Sequence, residues 1–325
     1  MSFSHDIADY PDGIVLPIDK PYRWTSADVI RKVKFAAIKH FRKKNLKVGH
    51  AGTLDPLATG VLLVCIGPAC KRAQEFQDHD KEYVAGIRFG ATTPSYDLEK
   101  DVDRTFPCDG VTEEAVRAVL PSFLGTQEQV APLFSAKSVD GVRAYEMARK
   151  LYRKAQSGTL DPAGPSAPDF DAAALATLHR STITISEIEL LDFTGASAHG
   201  VGTDFSDPVS GDGLTGASAH HGVGQNFFDL FSGEKVLVRE VTADAQSNST
   251  ASSRINVTDT SSLGLPEAHI RIACSKGTYI RAFARDLGEA LGTGAHLSSL
   301  VRTKTGTFRL EDALSLDEAL ALLAE

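Results

Sequence analysis

Cysteine is scarce in this sequence and never paired. The four present, Cys65, Cys70, Cys108 and Cys274, are scattered through 325 residues without a C-x-x-C spacing. Their scatter argues against a zinc ribbon or a disulfide framework and fits a chain kept in a reducing cytoplasm. Long apolar runs are missing too. No uncharged stretch approaches the roughly 20 residues of a membrane-spanning helix, so no membrane partner is expected. Residues Met1 to Asp6 carry neither the basic nor the apolar region of a signal peptide. Basic side chains are the minority, 34 against 42 acidic, for a net charge of −8. Taken whole, that balance speaks against a nucleic-acid partner.

Its distribution reverses that impression. Residues 156–262 hold 14 acidic and 4 basic side chains, leaving 28 acidic and 30 basic in the rest. Within the rest, Arg31, Lys32, Lys34, Lys39, Arg42, Lys43, Lys44 and Lys47 form a block with no acid between residues 31 and 47. A block that dense suits phosphate contact, because each neutralised phosphate releases counterions. A solvated basic helix face has the same composition. Apolar content of 42% and charged content of 23% are those of a globular protein able to bury a core.

Directly after the basic block runs Gly49-His50-Ala51-Gly52-Thr53-Leu54-Asp55-Pro56-Leu57-Ala58-Thr59-Gly60, then the apolar Val61-Leu62-Leu63-Val64-Cys65-Ile66. The apolar run predicts a buried strand, closed by Gly67-Pro68. The glycines and Pro56 predict a tight loop over 49–60, with Asp55 held at the mouth of that strand. An aspartate bonding its own turn fits the same pattern.

Elsewhere, strands are expected over 13–18, 81–90, 181–190 and 268–274, with 235–240 a weaker candidate. Thr25 or Ser26 caps a helix that sets Ile30, Val33, Ala37 and Phe41 on one face and the basic residues on the other. A helix capped by Thr112 is expected over 111–123. Another carries Ile280, Phe283, Ala284 and Leu287 on one face, and a last one opens with a capping box at Ser315. Between 155 and 265 the chain turns rich in Gly, Ala, Ser and Asp and contains an imperfect repeat around His199 and around His220-His221. That composition predicts a flexible, acidic insertion over 194–265 rather than a metal site.

GHAGTLDPLATGVL resembles the catalytic motif of the TruB-type tRNA pseudouridine synthases, whose essential residue is the aspartate of a G-x-L-D-P-x-A-x-G core. CSKGTYIRAFARDLGEALGTGAHL, about 220 residues later, is similar to the family's second active-site element. DKPYRWTS, KEYVAGIRFG, GATTPSYD, the P-x-x-S-A-x-K…Y-x-x-A-R pattern from Pro132 to Arg149, and Leu300-Val301-Arg302 resemble further family segments. Arg23 departs from the pattern, standing where the family usually has glycine.

The resemblance implies an α/β (α+β) fold: a mixed, mostly antiparallel central sheet flanked by helices, in one catalytic domain over 1–325. Residues 130–155 would form an RNA-binding thumb, and the small RNA-binding domain that most family members add after the catalytic one is expected to be absent. The implied activity is conversion of uridine to pseudouridine in the T loop of tRNA (tRNA position 55). Asp55 would be catalytic, with His50, Tyr83, Tyr279, Arg281 and Leu300 binding substrate. Lys20, Lys43, Lys44, Lys137, Arg143 and Arg302 would contact RNA. The reaction needs no cofactor and no metal, because uracil is both leaving group and returning nucleophile. Whether Asp55 attacks sugar or base, or promotes elimination, stays open. The implied partner is the tRNA T arm, bound by a monomeric cytoplasmic protein. Two rival readings are a pseudouridine synthase with another RNA target and a tRNA-binding folding helper.

Overall fold

The computed structural model describes residues 3–132, 138–139, 142–143, 180–196, 227–228, 235–236 and 255–324. Ten strands form one sheet: β1 (Ile14–Lys20), β2 (Val48–Ala51), β3 (Thr59–Ile66), β4 (Lys81–Phe89), β5 (Gly125–Val130), β6 (Arg180–Thr194), β7 (Glu267–Cys274), β8 (Ala295–Thr305), β9 (Phe308–Arg309) and β10 (Leu314–Ser315). Their order is β10-β1-β3-β8-β4-β7-β6-β5, with β2 added on β3 and β9 on β8. Only β1 with β10 and β3 with β8 run parallel, so the sheet is mixed and mostly antiparallel, as expected.

Local chemistry explains the elements around the Asp55 loop. Helix α1 (Ser26–His40) starts at Thr25, whose side chain accepts from the Asp28 amide while Asp28 reaches back to the Thr25 amide. The reciprocal cap satisfies two donors the first turn would otherwise leave orphaned. Val29, Val33 and Ala37 are fully buried against the sheet. Strand β3 is buried on both faces, by the main core through Leu62, Val64 and Ile66 and by Ala69 and Phe76 against Val61, Leu63 and Cys65. That double burial is why its sequence is an unbroken apolar run rather than an alternating one.

Helices α2 (Ala73–Asp78) and α3 (Glu113–Val119) flank the sheet's course. Thr112 caps α3 through the Ala115 amide, and Pro121 follows in a 3-10 turn. Helix α4 (Ile280–Ala290) is buried nearly all round, and α5 (Leu316–Leu322) opens with a Ser315–Glu318 capping box.

Three boundaries differ from expectation. Gly49, His50 and Ala51 belong to β2 rather than to a loop, pairing with Cys65, Val64 and Leu63, so the true loop is only 52–58. Strand β6 runs to Thr194, because its partner β7 extends the ladder to Glu267. Residues 255–265, assigned from composition to the flexible insertion, are packed instead. Thr258 donates its amide to the Leu98 carbonyl and its hydroxyl to Asp101, while Thr260 is buried beside Arg88 and His296. Of the weak strand expected over 235–240, Lys235–Val236 pairs with Phe227–Phe228, and 237–240 lie outside the described residues.

Candidate active site

Asp55 stands on a loop held from three distant parts of the chain. From the start of α1, the Ser26 hydroxyl accepts from the Leu54 amide at 3.0 Å and donates to the Leu54 carbonyl at 3.1 Å. From the end of β1, the Lys20 ammonium donates to the carbonyls of Pro21, Trp24 and Pro56 at 2.9, 2.7 and 3.2 Å. From β8, Arg302 donates to the carbonyls of Val61 and Gly52 at 2.7 and 3.2 Å. Within the loop, the Ala58 amide closes a turn on the Asp55 carbonyl. Backbone on both sides of the carboxylate is therefore anchored to rigid elements.

Lys20 and Arg302 were expected on the RNA-contacting surface, and the structure corrects both. Lys20 is 0% and Arg302 1% exposed. The reason for Lys20 is strand alternation: it shares the inward face of β1 with Ile14, Leu16 and Ile18. Burial pulls its ammonium down to about 7, against the opposing fields of Asp55 and Asp19. Its three carbonyl acceptors match the three donors of the charged form.

The Asp55 carboxylate meets Arg281 on the first turn of α4. Arg281 Nη2 donates to Asp55 Oδ1 at 3.1 Å, and Nε lies 2.9 Å from Oδ2 as an ion pair. The guanidinium is 7% exposed and the carboxylate 37%, so the acid faces a cleft while the base is embedded behind it. Arg281 also donates through Nη1 to the Ser95 carbonyl at 3.2 Å and lies 3.9 Å from Asp97 Oδ2. Burial opposes its charge, but Asp55 and Asp97 outweigh burial and hold its pKa above the ordinary value.

Asp97 was not singled out from the sequence, though it closes the GATTPSYD turn. It is buried, accepts from Ser95 Oγ at 2.6 Å and from the Glu99 amide at 2.9 Å, and its pKa is pushed up by burial despite Arg281. Gln129 on β5 was missed as well. Its side chain donates to the Tyr279 carbonyl and accepts from the Tyr279 amide, fixing the residue that caps α4 two positions before Arg281. Neither role has a local sequence signal, since both depend on a strand or turn arriving from elsewhere.

Leu300 lines the same cleft as Asp55, Asp97 and Arg281, together with Leu57 and Leu297. Tyr83, on β4 opposite Arg302, is 8% exposed; burial raises its phenol pKa, and Arg302 and Asp55 both act on it. His50 sits on β2 opposite Val64, and burial, then Arg302, lowers its pKa. Lys43 and Lys44 are exposed beyond α1. Arg143 belongs to a two-residue pairing of Ser138–Val139 with Val142–Arg143. Lys137, the thumb residues other than 130–132, 138–139 and 142–143, and His199, His220 and His221 lie outside the described residues. Among the described residues, no group of three or more His, Cys, Asp or Glu could hold a metal.

The Arg23 departure has a structural reading. Arg23 adopts φ +62°, the left-handed region that glycine occupies at least cost. Its guanidinium donates to the Ile255 carbonyl at 2.6 Å, a contact that glycine could not make.

Comparison with known proteins gives the chain's family. A family model described as "TruB family pseudouridylate synthase (N terminal domain)" matches residues 39–157. Another, "tRNA pseudouridylate synthase B C-terminal domain", matches 281–325, which here are α4, β8 to β10 and α5. The chain is 38% identical over 309 residues to tRNA pseudouridine synthase B of Phocaeicola vulgatus, covering 95% of this chain and 92% of that one. It is 39% identical over 306 residues to the same-named protein of Bacteroides thetaiotaomicron, covering 94% and 91%. With the Deinococcus radiodurans protein of that name it shares 33% over 305 residues, covering 93% and 77%. Among solved structures, a chain of the "Cbf5-Nop10-Gar1 Complex" shares the fold at a TM-score of 0.51 and 20% identity, across 97% of this chain and 56% of that one. With relatives 33 to 39% identical that cover 93 to 95% of it, and of which it covers 77 to 92%, the chain belongs to the TruB family of pseudouridylate synthases.

Proposed function

We propose that the protein converts the T-loop uridine of tRNA (tRNA position 55) to pseudouridine, with Asp55 as the catalytic carboxylate. The observation that carries this reading is the Arg281–Asp55 ion pair at the cleft lined by Leu57, Leu297 and Leu300. The reaction breaks the N-glycosidic bond, turns the uracil and rejoins it through carbon. The nucleotide must first leave its stack, at a cost of a few kcal/mol. Stacking on Tyr83 offsets about 1 to 3 kcal/mol of that, the usual range for a base on an aromatic ring.

Arg281 aims the Asp55 carboxylate in a site that loses water when the base enters, so that the carboxylate acts as nucleophile or stabilises charge on the sugar. Tyr279 and His50 contact the flipped nucleotide, and Leu300 bounds its pocket. Lys43, Lys44, Lys137 and Arg143 hold RNA backbone, the last two as part of a thumb over 130–155. The enzyme works as a cytoplasmic monomer on the T arm, with 1–325 forming one catalytic unit. Pseudouridine mapping on an unmodified tRNA transcript tests the reading: wild type modifies the T-loop uridine, and modification elsewhere or none at all overturns it.

A further inference from the structure

Helix α1 buries Val29, Val33, Ala37 and His40, and its opposite face carries Arg31, Lys34, Phe35 and Lys39 in the open. Phe35 sits at the centre of that face, 76% exposed, with Arg31 and Lys39 one turn away on either side. It is the only aromatic among the exposed large hydrophobic side chains of the described residues. At 76% exposed, Phe35 takes no part in the core packing of α1.

Beside this face lies an open groove of about 440 Å³, lined by Lys34, Lys44, Lys47, Leu46 and Gly49. None of the three lysines pairs with a carboxylate of the described residues, whereas Arg72, Arg117 and Lys276 on other surfaces do. Lysines without a carboxylate partner, in a groove beside a helix face that carries an exposed aromatic ring, match what single-stranded or looped RNA needs, phosphate contacts together with a stacking platform.

The groove is continuous with the catalytic loop along the chain. Gly49 precedes His50 on β2, which leads to the Asp55 loop, and α1 begins at Ser26, bonded to Leu54. At about 1.5 Å per residue, Phe35 lies roughly 14 Å along α1 from that contact, a span of two to three nucleotides.

We propose that the outer face of α1 and the 42–47 segment form a second RNA-binding surface for the tRNA beyond its T loop. Lys34, Lys44 and Lys47 hold its phosphates, and Phe35 stacks on an unpaired base. The proposal rests on the tRNA reading above and extends it to a place that the Asp55 cleft does not reach.

The test measures equilibrium binding of an unmodified tRNA transcript across a salt series, for wild type, Lys34→Gln/Lys47→Gln and Phe35→Ser, with pseudouridine formation by wild type followed on the same RNA. All three positions are solvent-facing, and circular dichroism verifies that the variants fold. The expected result is binding about tenfold weaker for the lysine pair, with a salt slope shallower by about two. Phe35→Ser should weaken binding roughly 5- to 50-fold with the slope unchanged. Variants that bind with wild-type affinity and slope, while wild type forms pseudouridine, overturn the surface and leave the tRNA reading intact. Weakened variants with no pseudouridine from wild type support the surface and overturn that reading instead.

Discussion

Arg281 and Asp55, 226 positions apart in the chain, meet with Nε 2.9 Å from Oδ2 and Nη2 3.1 Å from Oδ1. The planar fork is what a lysine cannot reproduce, since an ammonium is a single point charge. Arg281→Lys should therefore fold yet form pseudouridine about 10²- to 10³-fold more slowly, the usual loss when one preorganised electrostatic partner goes. Single-turnover rates on tRNA measure this. A fall of less than threefold would mean that the pairing does not orient the reacting group.

Asp97 approaches Arg281 only to 3.9 Å, against 2.9 Å for Asp55, and it is buried where Asp55 faces the cleft. Asp97→Asn should therefore slow the reaction far less than Asp55→Asn does. Equal losses at the two positions, in the same single-turnover assay, would contradict this ranking of the carboxylates.

The Lys20 ammonium has a folded-state pKa of about 7 against an ordinary value of 10.5. Between those values the unfolded chain binds more protons than the folded one, so stability from this group rises with pH. Below about 7 both states are protonated and the contribution is flat. Denaturant titrations of wild type and Lys20→Met should accordingly diverge in wild type's favour as pH climbs from 7 toward 10. A constant difference across that range would show that Lys20 keeps an ordinary pKa in the fold.

Gly60 and Gly49 flank the same catalytic stretch and make opposite predictions. Gly60 has φ +97°, and a Cβ there would sit 2.2 Å from the Arg302 carbonyl oxygen. Backbone against backbone has no room to yield, so Gly60→Ala should lose more than about 3 kcal/mol or fail to fold. A methyl group on Gly49 would meet nothing within 4 Å, and Gly49→Ala should stay within about 0.5 kcal/mol of wild type. Chemical denaturation of both variants separates the cases.

Much of this arrangement could be read in the sequence wherever the signal was local. The alternation of β1, β4 and β7, the apolar run of β3, the Thr25, Thr112 and Ser315 caps and the periodicity of α1 and α4 each follow from neighbours a few positions away. Charge misled where burial depends on distant partners. Lys20 and Arg302 read as cations for RNA but serve as internal clamps, and only the period-two pattern of β1 pointed inward for Lys20. Composition misled at 255–265, where polar residues such as Thr258 and Thr260 find their partners on Asp101 and Arg88 more than 150 positions away. Asp97 and Gln129 were invisible as site residues for the same reason: what they hold arrives from α4.

The most direct measurement of the central claim is pseudouridine mapping on one unmodified tRNA transcript, with wild type and Asp55→Asn side by side. Asparagine keeps the shape of the side chain and removes its charge, while the Ser26, Lys20 and Arg302 anchors of the loop remain. Wild type should form pseudouridine at the T-loop uridine and the variant none above background, with both binding the RNA. Modification by Asp55→Asn at a rate near that of wild type would contradict the assignment of Asp55 as the catalytic carboxylate.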